Sequence, residues 1–453
     1  MRPGGPRRLR PGRRRHRRRA RRPPRGEHAR RRTRSRGDLP GRGHPAGGQM
    51  TDRRPLRRIV IAGASAAGLS AAETLRREGF EGALTLIGRE THLPYDRPPL
   101  SKQVLTGTWP AERTALRRPE DLDALDLELR LGTAAAALSP AARTVTLADG
   151  TETGYDALII ATGVRARRLP WCGTPGVHVL RDLPDALALR QRLTAGRRLV
   201  VVGAGFLGSE VAAAARTLDV AVTLVEPAPT PLAHLVGPDA GAFLTRLHRD
   251  NGVDLRLGTE VTGIVTAGGR ATGVRLADGT LLPADDVLVA IGSEPNTAWL
   301  RDSGLRLFDG VLCDEYSAAA PHVYAAGDVA RWHNPLFGTD MRVEHRTNAA
   351  EQGMAAARNL LHPERAAPFA PVPYFWSDQH GTRIQAYGCL RGHDEAQVVE
   401  GDPADGRFLV AYRTGPALTG ALAVGMPPKA LRRWRAAIAA RTQWRSPADS
   451  LVA

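Results

Sequence analysis

The sequence predicts an α/β protein with two strand–turn–helix–strand (βαβ) units and a C-terminal α+β domain. Near residue 60 an apolar strand runs into a glycine-containing turn and an alanine-rich helix, and the same arrangement recurs near residue 200. From about residue 371 the sequence becomes aromatic and alternates in the manner of antiparallel strands. A chain of 453 residues is too long for one core, so we expect two or three domains.

The first βαβ unit begins with a buried strand over Ile59–Ala62. The turn that follows, GASAAG, starts at Gly63 and ends at Gly68. The periodicity of the apolar residues predicts a helix over Leu69–Glu78 and a second strand over Leu84–Ile87. In such a unit the first glycine permits a sharp turn and the last lets the helix pack closely against the strand. A pyrophosphate can then bind to the free N–H groups of the helix N-terminus.

Two further residues bear on what this unit binds. Ser65 stands where the dinucleotide-binding pattern has its middle glycine, and its side chain limits how closely the backbone can approach a pyrophosphate. Glu90 follows the second strand, where a carboxylate can hold ribose hydroxyls. The unit therefore predicts a dinucleotide site, with a strand-to-helix turn that binds nothing as the alternative.

The second βαβ unit carries the complete glycine pattern. Its first strand, Leu199–Val202, leads into GAGFLG over Gly203–Gly208, and its second strand, Ala221–Val225, is followed by Glu226. A carboxylate at this place accepts the 2′-hydroxyl of an adenosine ribose and repels a 2′-phosphate, so the unit predicts NADH in preference to NADPH. Two such units imply two dinucleotides, and a flavin with a nicotinamide is the economical pairing.

Three segments outside the glycine turns carry a family resemblance. They are the proline-rich loop LPYDRPPLSK, which ends at Lys102, the segment VYAAGDV over residues 323–329, and FWSDQ over residues 375–379. Together with the two βαβ units they resemble the FAD-dependent, NADH-using ferredoxin reductases that serve oxygenases. Apoptosis-inducing factor and the pyridine nucleotide-disulfide oxidoreductases are wider relatives. The resemblance covers about residues 57–428.

This resemblance implies an architecture of two Rossmann-like dinucleotide-binding domains and a C-terminal α+β domain. We expect the FAD-binding domain over residues 56–170 and 294–370, interrupted by an inserted NADH-binding domain over residues 171–293. The C-terminal reductase domain is expected over residues 371–453, with a helix over Lys429–Ala440.

The resemblance also implies the residues of the site. Lys102 and Glu210 are expected beside the reactive edge of the flavin as the catalytic pair, one from each βαβ unit. Trp376 is expected near the exposed edge of the flavin, with core packing as the alternative. Arg346 stands where an apolar residue or tryptophan is expected. The residues expected to contact FAD are Gly63, Ser65, Ala66, Ala67, Gly68, Glu90, Arg97, Lys102, Ala135, Ala161, Thr162, Gly163, Arg181, Asp328, Arg346 and Trp376, and those expected to contact NADH are Gly203, Gly205, Phe206, Leu207, Gly208, Glu226 and Gly292.

The expected activity is electron transfer from NADH through FAD to a ferredoxin, by a cytoplasmic monomer or homodimer. Cys172, Cys313 and Cys389 form no CxxC or CxxxxC pair, which excludes the thioredoxin- and glutathione-reductase branch and fits a reducing compartment. The histidines show no metal-ligand spacing, and no run of 18 apolar residues predicts a membrane span. Two alternatives stay open: another NADH-dependent flavin reductase, acting on a rubredoxin, a nitrite system or a quinone, and a redox-gated interaction protein similar to apoptosis-inducing factor.

The first 50 residues carry nearly all of the net charge. They hold 19 arginines against two acidic residues, which is +17 of the formal +18 of the chain. Such a segment has too few apolar residues to pack, so we predict a disordered arginine-rich head over residues 1–55. It could be a nucleic-acid arm, a transit peptide or upstream sequence translated in error ahead of Met50. No hydrophobic region follows the arginines, which argues against a secretory signal, and the scattered prolines argue against an amphipathic transit helix. Because Met50 leads directly into the first strand, we favour the third interpretation and do not expect nucleic acid as a partner.

Overall fold

The computed structural model of this protein describes residues 55–444, so the predicted head lies outside the described residues apart from residue 55. Within the described range no helix is long and apolar enough to cross a membrane. The α-helices of this range are Ala66–Arg77, Gln103–Thr106, Pro119–Asp123, Leu183–Arg190, Phe206–Arg216, Ala233–Asp250 with a kink at Gly237, Arg346–Leu361 and Arg432–Ala439.

A six-stranded sheet carries the first glycine turn. Its neighbouring strands are parallel, except that Ala318–Ala320 and Val323–Ala325 are antiparallel to each other. Ile59 to Ala62 have no exposed surface, as expected for a parallel strand that is covered on both faces. The strands are, in spatial order, Ala318–Ala320, Val323–Ala325, Ala157–Ile160, Arg58–Ala62, Ala83–Gly88 and Leu127–Leu131. Two of them come from far downstream, so this sheet is completed only after the chain has formed a second sheet.

The second sheet is parallel throughout and carries the second glycine turn at the end of its central strand. Its strands are, in spatial order, Asp254–Leu257, Ala221–Glu226, Arg198–Val202, Asp286–Val289 and Val177–His178. A three-stranded antiparallel meander, Val261–Ala267, Arg270–Leu276 and Leu281–Pro283, packs on this sheet through a core that includes Val200 and Val274. The predicted α/β class is thereby confirmed.

The C-terminal part is a five-stranded antiparallel sheet with one helix. Trp434 and Ile438 of that helix pack against Leu409 of the sheet. The predicted helix over Lys429–Ala440 is wrong at its start, because Pro428–Leu431 forms a 3₁₀ turn in which the Ala430 N–H bonds to the Pro427 carbonyl, and the α-helix begins only at Arg432. The strands are, in spatial order, Tyr374–Gln379, Thr382–Gly388, Ala417–Val424, Arg407–Thr414 and Glu395–Asp402.

Three small sheets complete the described strands. One of them, an antiparallel pair, lies where the chain leaves the six-stranded sheet and where it returns to it. The predicted domain boundaries at residues 170/171 and 293/294 lie near this pair and stay a prediction. The strands of the small sheets are Val164–Ala166 with Ser293–Pro295, Ala135–Ser139 with Thr144–Leu147 and Glu152–Gly154, and Val311–Cys313 with Ala330–Asn334 and Thr339–Met341.

Candidate active site

One cavity of about 1540 Å³ joins the two glycine turns. It is lined by residues that follow the strands of both parallel sheets, and by residues of the C-terminal sheet. All of the predicted site residues line it except Gly68 and Gly208. The sequence therefore predicted which residues the fold brings together, although they are spread over more than 300 positions of the chain.

Gly68 and Gly208 do not line the cavity but pack tightly against the first glycine of their own turns, and their predicted contacts with the cofactors stay predictions. A Cβ on Gly68 would stand 1.8 Å from the Gly63 carbonyl oxygen, and a Cβ on Gly208 would stand 2.0 Å from that of Gly203. The predicted start of the first helix at Leu69 is wrong, since this helix begins at Ala66. The glycine pattern therefore already contains the first helical turn.

Both glycine turns border the cavity, so a pyrophosphate can approach the helix that follows each of them. Ser65 is the N-cap residue of the first nucleotide helix, and its side chain makes no capping bond there. Gly205 is the N-cap of the second, and a Cβ added to it would meet nothing within 4 Å. Because the first N–H groups of a helix lack partners within the helix, both ends can bind phosphate oxygens.

Glu90 is held in a polar cluster after the second strand of the first unit. Arg97 Nη2 lies 2.6 Å from its Oε1, and the Tyr95 hydroxyl donates a hydrogen bond to its Oε2. Burial acts to raise the pKa of Glu90, but the charge of Arg97 and these hydrogen bonds hold it below its ordinary value. The carboxylate is thus ionised at neutral pH and can accept hydrogen bonds from ribose hydroxyls.

Arg97 connects this cluster to a second ion pair in the cavity wall. It donates a hydrogen bond of 2.8 Å to the Arg181 carbonyl oxygen. The Arg181 guanidinium lies 3.1 Å from Asp328 Oδ2, a residue 147 positions later. Burial raises the pKa of Asp328, and the charge of Arg181 opposes that shift. The cavity wall therefore contains an Arg181–Asp328 pair that can form hydrogen bonds with the hydroxyl groups of a polyhydroxyl chain.

Lys102 and Glu210 form an ion pair in the wall of the cavity. Lys102 Nζ lies 2.6 Å from Glu210 Oε2, and the two side chains are 14% and 8% exposed. Lys102 comes from the proline-rich loop and Glu210 from the first turns of the helix Phe206–Arg216. The two glycine units thus meet at this pair, as predicted, while its catalytic role stays a prediction.

Glu226 reaches the same cavity from the end of its strand. Its Oε2 accepts a hydrogen bond of 2.7 Å from the Ala204 N–H of the glycine turn, and its Oε1 accepts one of 3.0 Å from the Ala228 N–H. Two backbone groups therefore fix the carboxylate beside the turn, which is the place expected for an adenosine ribose.

Two predicted residues have polar or aromatic partners of their own. Arg346 opens the helix Arg346–Leu361, and its Nε lies 2.6 Å from Asp96 Oδ1. Trp376 is half-buried and stacks on Tyr374, with ring centroids 6.0 Å apart. Both residues line the cavity, which is where contact with FAD requires them to be. Their contacts with FAD stay a prediction.

Sequence reasoning missed His345, the residue before Arg346. Its ring lines the cavity and packs on Phe375 at 5.1 Å between centroids. Burial lowers the pKa of His345 to about 4, so the ring is neutral at pH 7, and its buried Nδ1 has no hydrogen-bond partner among residues 55–444. An enclosed nitrogen of this kind fits a polar atom of a bound cofactor. No local pattern distinguishes a buried histidine from an exposed one, so only its position beside a predicted residue could have signalled it.

The fold and the site define an oxidoreductase that binds two dinucleotides. A family model described as pyridine nucleotide-disulphide oxidoreductase matches residues 57–353, and a model described as reductase C-terminal matches residues 374–450. The chain belongs to the pyridine nucleotide-disulphide oxidoreductase family. FAD and a nicotinamide dinucleotide are therefore its cofactors, as predicted, whereas the choice of NADH over NADPH stays a prediction.

The curated proteins similar to this chain include ferredoxin reductase components. The chain is 41% identical over 358 residues to the ferredoxin reductase subunit of 5,5'-dehydrodivanillate O-demethylase from Sphingobium sp. (strain NBRC 103272 / SYK-6), which covers 78% of this chain and 86% of that protein. It is 38% identical over 365 residues to putidaredoxin reductase from Pseudomonas putida, which covers 79% and 86%. These relatives confirm the predicted family.

Solved structures are also similar. The crystal structure of the covalent putidaredoxin reductase–putidaredoxin complex matches with a TM-score of 0.82 at 35% identity, covering 85% of this chain and 93% of that chain. The ferredoxin reductase of the CYP199A2 system from Rhodopseudomonas palustris matches with a TM-score of 0.78 at 35% identity, covering 82% and 91%.

Proposed function

We propose that this protein passes electrons from NADH through FAD to a ferredoxin that serves an oxygenase. The observation that carries the proposal is the meeting of the two glycine units in one cavity, with the Lys102–Glu210 pair between them. A hydride donor held by one unit can then reach a flavin held by the other. Relatives that cover most of the chain are named as ferredoxin reductase subunits or components, which supports the same acceptor.

The residues of this chain bind and orient the two cofactors and supply charge beside them. Glu90 and Asp328 are carboxylates that can accept hydrogen bonds from the hydroxyls of FAD, and Glu226 can do so for NADH. Bound FAD supplies a carrier that accepts two electrons together and releases them singly, so one NADH reduces two ferredoxins and one proton is released. Lys102 places a positive charge where negative charge develops during reduction, and Glu210 neutralises part of it.

A panel of electron acceptors tests this proposal. The purified protein, loaded with FAD, should show the visible absorbance of bound flavin, lose it on anaerobic addition of NADH, and recover it with an oxidised [2Fe–2S] ferredoxin. Turnover is compared with three other acceptors: a rubredoxin, a quinone and a nitrite-reducing system. Faster turnover with one of these than with any ferredoxin would replace the proposed acceptor, and a flavin that NADH does not reduce would contradict the proposal as a whole.

Three further predictions stay part of the proposal. They are the domain division given above, a monomer or homodimer in solution, and a cytoplasmic location. Size-exclusion chromatography with light scattering would check the oligomeric state.

A further inference from the structure

The Glu210 carboxylate is bonded by three side chains from two separate parts of the chain, the proline-rich loop and the C-terminal sheet. Lys102 Nζ lies 2.6 Å from its Oε2, and the Ser101 hydroxyl donates a hydrogen bond of 2.6 Å to the same oxygen. The Ser377 hydroxyl of the C-terminal sheet donates one of 2.8 Å to Oε1. The bond from Ser377 links the C-terminal sheet to the Lys102–Glu210 ion pair of the active-site cavity.

Packing between one helix and one strand places Ser377 there. Phe206 and Glu210 are one turn apart on the helix Phe206–Arg216, a rise of about 6 Å. Phe375 and Ser377 are two residues apart on one face of the strand Tyr374–Gln379, a rise of about 6.7 Å. Because these spacings match, Phe375 contacts Phe206 at 4.7 Å between ring centroids while Ser377 contacts Glu210.

The next inward-facing residue of the strand fixes the direction of the Ser377 hydrogen bond. Gln379 Nε2 donates to Ser377 Oγ over 3.1 Å, so the Ser377 hydroxyl proton is free to point at Glu210. Both side chains have no exposed surface. A buried hydroxyl that accepts from an amide and donates to a carboxylate has a defined orientation.

We propose that Ser377 and Gln379 are positioning residues that set the charge balance of the Lys102–Glu210 pair and thereby the reduction potential of the bound flavin. The proposal rests on the proposed function, because it takes the flavin to lie beside this pair. Each hydroxyl bonded to Glu210 takes up part of the negative charge of its carboxylate. Without the Ser377 hydroxyl, Glu210 neutralises more of the Lys102 charge, so reduced flavin loses stabilisation and the potential falls.

The test is the reduction potential of the FAD-loaded protein, measured by equilibrium titration against redox dyes. We expect Ser377→Ala to lower the equilibrium constant for flavin reduction about tenfold, the effect of roughly one charge-assisted hydrogen bond. For a two-electron couple this is about 30 mV. Ser377→Thr keeps the hydroxyl and should have the potential of the unmodified protein. Ser377→Val has nearly the same shape as Ser377→Thr but lacks the hydroxyl, so its potential should fall as in Ser377→Ala.

Ser209→Ala is the matched control. Ser209 is fully buried beside Glu210 on the same helix, but its hydroxyl bonds the Ala204 carbonyl oxygen at 3.5 Å instead of the carboxylate. The reduction potential of the flavin in the Ser209→Ala protein should therefore equal that in the unmodified protein. An unchanged or raised potential in Ser377→Ala, or an equal fall in Ser209→Ala, would overturn the proposal.

If the Ser377→Ala protein does not fold, Gln379→Met provides a second test of the same reduction potential. This substitution preserves side-chain length, leaves the Ser377 hydroxyl in place and removes the amide that orients it. The potential should fall in the same direction, and an unchanged potential would overturn the proposal. Failure of the proposed function is distinguishable, because then the unmodified protein would not be reduced by NADH at all.

Discussion

Replacing Lys102 by methionine removes the positive charge of the Lys102–Glu210 ion pair and keeps a side chain of similar length. In the structure Lys102 Nζ bonds Glu210 and also the Pro98 carbonyl oxygen at 3.3 Å. The substitution therefore leaves a carboxylate that is 8% exposed with hydroxyl donors only. We expect two separate consequences, one for stability and one for the rate of flavin reduction.

The loss of stability follows from the burial of Glu210. Removing one partner of a buried ion pair costs about 3–5 kcal/mol, and we expect the lower end because Ser101 and Ser377 continue to donate to Glu210. The loss of rate follows from the missing positive charge. Losing a donor in direct contact with developing charge costs about 10²–10³ in rate, and roughly tenfold to a hundredfold is expected here because Glu210 already neutralises part of the Lys102 charge.

Urea denaturation and anaerobic stopped-flow measurement of flavin reduction by NADH separate these consequences. Adding Glu210→Gln to Lys102→Met removes the unpaired charge, so the double variant should regain stability while its reduction stays slow. Lys102→Arg should not restore the rate, since a planar guanidinium does not replace a compact ammonium in a buried position. Reduction of the Lys102→Met protein at the unmodified rate would refute the reasoning.

Three further predictions concern the coenzyme, the head and the acceptor. Glu226→Ala should narrow the ratio of kcat/KM for NADH to that for NADPH, because Glu226 would repel a 2′-phosphate, and equal values in the unmodified protein would refute this role. A chain that begins at Met50 should keep its FAD content and melting temperature, since the charge of the removed segment is local, and loss of either would show that the segment contributes to folding. Raising the salt concentration should slow ferredoxin reduction, because Lys429 just before the C-terminal helix and Arg432 and Arg435 within it are exposed and can attract an acidic partner. A reduction rate independent of salt would exclude this surface as the docking site.

The sequence predicted those features that consecutive residues determine. The glycine turns, the strands before them and the residues after them follow from local spacing, and the structure places almost all of these residues around one cavity. The errors at Leu69 and Lys429 concern helix starts, where local signals compete. In the first case the helical turn is part of the glycine pattern, and in the second the prolines before the helix favour a tighter turn.

The contacts that no local pattern determines are those between distant segments. Ser377 lies in a motif that signalled the family, but its bond to Glu210 spans 167 positions and depends on how one strand packs across one helix. A shift of that strand by a single residue would turn Ser377 away from the helix, because side chains alternate between the two faces of a strand. The charge balance of Glu210 is therefore set by the packing of the C-terminal sheet on the second nucleotide helix, and the Ser377 variants measure whether the flavin responds to it.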